Sequence, residues 1–113
     1  MLIISIILFA IAALFGLYLL SYILTNKNTP KGVAITHGQI ATVGLILLII
    51  YAFLYSPKPI VSIIIFILAA LGGLLLMFKD ITGKPIPKWM ALGHGITALI
   101  GIIVLIAFAI NLA

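Results

Sequence analysis

The stretch TPKGVAITHGQIATVGLILLII (Thr29–Ile50) returns further along the chain as IPKWMALGHGITALIGIIVLIA (Ile86–Ala107). Each copy runs Pro-Lys, then five residues, then His-Gly, and continues into an apolar segment. The chain has only two histidines, and both stand at this matched place. Of its 113 residues 66% are hydrophobic and 6% charged. So short a chain cannot bury that much apolar surface in water, because small domains keep a high surface-to-volume ratio.

Extending both blocks outward gives four apolar runs: Leu2–Leu24, Val33–Tyr55, Ile60–Phe78 and Met90–Leu112. Each is close to the length that crosses a bilayer as a helix. Period-two alternation, the mark of a membrane barrel, is absent. The expected fold is an all-α integral membrane protein, a single transmembrane domain (1–113) forming an up-down four-helix bundle. The first run lacks a basic start and is read as a retained helix, not a secretion signal. With no cysteine, thiolate ligands and disulfides are excluded.

Shifting the sequence by 57 positions aligns 1–56 with 58–113 without a gap, and roughly 24 of the 56 pairs are identical. Apolar composition does not explain Thr25/Thr82, Lys27/Lys84, Pro30/Pro87, Lys31/Lys88, His37/His94 and Gly38/Gly95. The reading is two tandem copies of one hairpin. An even number of spans per copy makes the repeat parallel, with a pseudo-two-fold axis along the membrane normal.

All six cations are lysines, five of them in the connections 25–32 and 79–89. Lysine-rich short loops face the cytoplasm, so both termini and Ser56–Pro59 are expected outside. The basic rim suits anionic lipid headgroups and shows no nucleic-acid pattern. The lone acid, Asp80, is expected to be solvated at that rim. Tyr18, Tyr22, Tyr51, Tyr55 and Trp89 lie near helix ends as interfacial anchors.

Every helix carries Ala-x-x-x-Gly: Ala12/Gly16, Ala34/Gly38, Ala69/Gly73 and Ala91/Gly95. Small residues let helix backbones approach in lipid, so all four pairs are expected at the tightest crossing. His37 shares a stripe with Ala34, Ala41 and Gly44, and His94 with Ala91, Ala98 and Gly101, so both imidazoles should face inward.

Three readings of these histidines follow. Each hydrogen-bonds across a helix interface, in a non-catalytic structural or accessory protein. Or the pair holds one haem b as axial ligands, with Lys31 and Lys88 contacting propionates, for electron transfer or haem handling. Or they gate a small transporter or channel, which needs several chains around the path. A bare metal site lacks ligands, and no catalytic constellation can be assembled. Membrane lipid, haem, a second copy or a larger membrane complex are the expected partners.

The repeated Pro-Lys-x5-His-Gly-x2-Ala-x2-Gly block resembles small uncharacterised four-helix inner-membrane proteins of bacteria. That resemblance implies a location in the bacterial inner membrane and no activity. Loosely, His37 and His94 on spanning helices look like the ligands of four-helix b-type cytochromes. The two-haem pattern would need four histidines, so that similarity implies one haem at most.

Overall fold

The computed structural model describes residues 1–112; Ala113, the last position of the expected second hairpin, lies outside the described residues. Four helices follow in order: α1 Leu2–Leu24, α2 Lys31–Leu54, α3 Ile60–Ile81 and α4 Lys88–Leu112. Among the described residues there is no strand. No proline interrupts any helix, so each backbone satisfies its own hydrogen bonds, as lipid requires. At 22 to 25 residues and 1.5 Å per residue, each is about 33–38 Å long, enough to cross a hydrocarbon layer of about 30 Å. Large apolar side chains point outward; Phe53 is 82% exposed. That outer surface suits lipid.

The chain is an all-α four-helix bundle, a rod with extents of 43 × 19 × 19 Å. α1 packs on α2 and α4, and α3 packs on the same two, leaving α1/α3 and α2/α4 as diagonals. The core lies toward the Ser56–Pro59 turn. There Phe9 of α1 and Phe66 of α3 stack across the diagonal, with ring centroids 3.8 Å apart and planes 4° from parallel. Leu48 and Leu105 beside them are wholly buried. Gly44 and Gly101 admit these rings: a Cβ on Gly101 would stand 2.9 Å from Phe66 Cε1, and one on Gly44 3.4 Å from Phe9 Cε1.

At the basic end the helices run beyond the expected apolar segments, while α2 stops at Leu54, one residue short of Tyr55. α2 begins at Lys31 instead of Val33, α3 continues past Phe78 to Ile81, and α4 starts at Lys88 instead of Met90. Apolarity marks the hydrocarbon, but backbone hydrogen bonding continues beyond it while lysine heads reach for the interface. After α1, Asn26 turns left-handed (φ 57°), and after α3 Gly83 does the same (φ 71°). Lys27 N–H then bonds Tyr22 O, and Lys84 N–H bonds Lys79 O, both at 2.9 Å. These Schellman-type endings satisfy orphan carbonyls and account for the recurring Thr-(Asn/Gly)-Lys.

One expectation about a charge is corrected. Asp80 is not simply solvated: it pairs with Lys31 Nζ and accepts from Thr29 Oγ1 at 2.7 and 2.8 Å. The start of α2 and the end of α3 are thereby tied together, because a carboxylate at a half-apolar rim needs partners. Lys58, in the middle turn, folds back onto the carbonyls of Ala52 and Tyr55 at the end of α2, where a cation offsets the negative helix terminus.

Candidate functional site

His37 lies six residues beyond the first residue of α2, and His94 stands equally far into α4. At 1.5 Å per residue both are about 9 Å from the basic end of their helices. The expected stripes do face inward: Ala34, Gly44, Ala91 and Gly101 are buried and both histidines half-buried. His37 Nδ1 lies 2.7 Å from Ala12 O on α1. His94 Nδ1 lies 2.8 Å from Ala69 O on α3. A carbonyl only accepts, so each Nδ1 is the donor, and in the neutral ring Nε2 keeps its lone pair.

Gly16 and Gly73 make these bonds reachable. A Cβ at Gly16 would lie 3.1 Å from His37 Cε1, and one at Gly73 would lie 3.0 Å from His94 Cε1. On α1 and α3, therefore, Ala-x-x-x-Gly is a receptacle in which alanine supplies the carbonyl and glycine the space. On α2 and α4 the same spacing does something else. Ala34 and Ala91 are buried in the interface, but Gly38 meets only Met77 Cε at 3.8 Å and Gly95 has nothing within 4 Å. The expectation of four equivalent small-residue crossings is corrected to two, because residues on the His37 and His94 stripe already occupy the inward face.

Across the α2/α4 diagonal the two imidazoles meet, with ring centroids 6.2 Å apart and planes 84° from parallel. Two metal–nitrogen bonds of about 2 Å plus two half-rings would span about 6 Å between ring centres. Among the described residues no third imidazole, thiolate or carboxylate joins the pair. The donor set fits a metal centre that brings its own equatorial ligands, such as haem iron, and does not complete a tetrahedral site. An Nδ1–H bonded to a carbonyl is also how ligating histidines are commonly oriented.

The flanking lysines are unequal. Lys31 is engaged with Asp80 and Thr29, whereas Lys88 is exposed at the start of α4. Beside His94 a groove of about 230 Å³ between α3 and α4 opens sideways, lined in part by Gly72, Trp89 and Gly93. Gly72 stands where the first hairpin has Phe15. Toward the middle turn, the Phe9–Phe66 stack closes the axis. Beyond it Ser5 Oγ is buried without a hydrogen-bond partner among the described residues. A carbonyl, a threonine or Gln39 was the expected partner of each imidazole, and the carbonyls of Ala12 and Ala69 take that place. The phenyl stack was missed in sequence, although Phe9/Phe66 and Ser5/Ser62 are matched pairs at the 57-residue offset.

This architecture defines a class: a four-span helical bundle with an inward-facing histidine pair. No family model, curated protein or solved structure matches the chain, so no relative assigns those imidazoles a role.

Proposed function

We propose that the chain is a small bacterial inner-membrane binding module, made of two tandem copies of one hairpin. It holds one b-type haem at the bundle axis between His37 and His94, for electron transfer or haem handling. The observation that carries this reading is the convergence of the two rings at 6.2 Å. Helix bridging accounts for each Nδ1–carbonyl bond and the tandem copies for the matched depth of the two rings; what supports a shared ligand is that they meet, each with a ring nitrogen to spare.

The bound group would supply one-electron chemistry. The protein's part would be to orient the two imidazoles through Ala12 O and Ala69 O, with Gly16 and Gly73 making room for the ring edges, and to exclude water with apolar helices. Lys88 is the free candidate for a propionate; Lys31 would have to share its ammonium with Asp80. Gly72 gives a lateral way in. Basic connections on the cytoplasmic side and both termini outside follow from the lysine distribution.

The test is a visible spectrum of the purified protein titrated with haem in detergent. We expect a Soret band that disappears in His37→Gln and in His94→Gln, with helicity unchanged by circular dichroism. Glutamine can still donate toward the carbonyl but does not replace the ring nitrogen. No band, or one indifferent to both substitutions, sinks the haem reading.

A second reading rests on the Nδ1–carbonyl bonds themselves: a non-catalytic structural or accessory bundle in which each histidine ties its own hairpin. Such bonds contribute on the order of 1 kcal/mol each in membranes. This reading expects His→Ala variants to lose that stability without any spectral consequence.

A further inference from the structure

We infer that two copies of this chain associate through the α2/α3 face, joined by a reciprocal hydrogen bond between their Gln39 carboxamides. Gln39 points out of the bundle. It lies about 12 Å along α2 from Lys31 at 1.5 Å per residue, well inside a hydrocarbon layer of about 30 Å. Among the described residues it makes no hydrogen bond, whereas its neighbour Thr42 bonds back to Gly38 O at 2.7 Å. Lipid offers no partner to an amide, so an unpaired carboxamide there is costly.

The surface around it is shaped for a neighbour. A groove of about 610 Å³ runs beside Gln39 between α2 and α3, with Gly38 and Val43 on one wall and Leu74 and Met77 on the other. Gly38, which plays no part in the internal crossing, lets another backbone come close at this level.

The occupant follows from hydrogen-bond complementarity. A carboxamide carries both donors and an acceptor, so a second Gln39 across a two-fold axis satisfies it and is satisfied in return. Such an isologous contact closes at a dimer. The second hairpin argues that the feature is specific: Gln39, Thr42 and Val43 correspond to Ile96, Leu99 and Ile100. That α4 face is exposed and wholly apolar, so it offers lipid nothing unpaired and no second polar interface that could extend the dimer into a filament.

The experiment exploits the absence of native cysteine. Full-length Val43→Cys and Ile100→Cys proteins are reconstituted separately in bilayers and oxidised, and association is measured in parallel by energy transfer between labelled copies. We expect disulfide dimers from Val43→Cys and few from Ile100→Cys. Gln39→Ile, which installs the residue found at the matching place in the second hairpin, should weaken association about tenfold, an interhelical hydrogen bond being worth about that factor at the upper end of measured values. Gln39→Asn should restore part of it, and circular dichroism checks that every variant keeps its helices. A wild-type monomer at all protein-to-lipid ratios overturns the proposal, as would be expected if another membrane protein fills the groove. Equal association in Gln39→Ile, or dimers linked through Ile100→Cys, also overturns it. None of these readouts depends on haem.

Discussion

At the residue scale, glycines identical in sequence context have opposite roles. Gly16 and Gly73 lie under imidazole edges, while Gly95 faces open space. Gly73→Ala would force His94 to move a few tenths of an ångström and strain its bond to Ala69 O. We expect it to cost about 1–3 kcal/mol, the range for overpacking. Gly95→Ala should be neutral or stabilising by up to about 1 kcal/mol, because alanine is the better helix former. Reversible unfolding in mixed detergent measures both; equal losses would contradict the receptacle. The histidines' matched positions were visible in sequence. Their acceptors were not, since every residue carries a carbonyl and only the helix crossing selects those of Ala12 and Ala69.

At the element scale, the hairpins are joined to each other by few polar contacts, and the Asp80–Lys31–Thr29 cluster is the main one at the basic end. Its lysine is half exposed, which limits its worth to about 1 kcal/mol. Asp80→Asn should therefore lower stability by about that amount, and the difference from wild type should shrink as salt rises. A deficit that persists in high salt would mean that the charge pair is not what Asp80 contributes to holding α2 to α3. Sequence placed Asp80 at the correct end but left it in solvent. Its partners lie 49 and 51 residues away, and no local pattern announces a contact of that range.

At the scale of the whole molecule, four crossings put Lys27 and Lys84 on one side and Lys58 on the other. Asn28→Cys and Gly83→Cys should react with an impermeant maleimide from the same face of oriented membranes, and Ser56→Cys from the opposite face. With termini outside, the first two react only after the cytoplasmic face is opened. Labelling of all three from one side would refute a crossing by α2 and by α3. The stacked Phe9 and Phe66 rings matter here too. They obstruct the axis of a single bundle, so a solute route would have to run between chains.

Membrane residence, the number of helices and their approximate limits were determined by the sequence alone, because hydrocarbon thickness and backbone hydrogen bonding act on each segment independently. The pairing of the two blocks was legible for the same reason, being written along one dimension. Tertiary structure alone decided which glycine receives a ring, which carbonyl accepts a proton, that Asp80 reaches Lys31, and that the imidazoles meet across a diagonal. Those depend on the rotation of each helix about its axis. Packing against the two adjacent helices sets that angle, and small changes in it exchange an inward side chain for one that faces lipid.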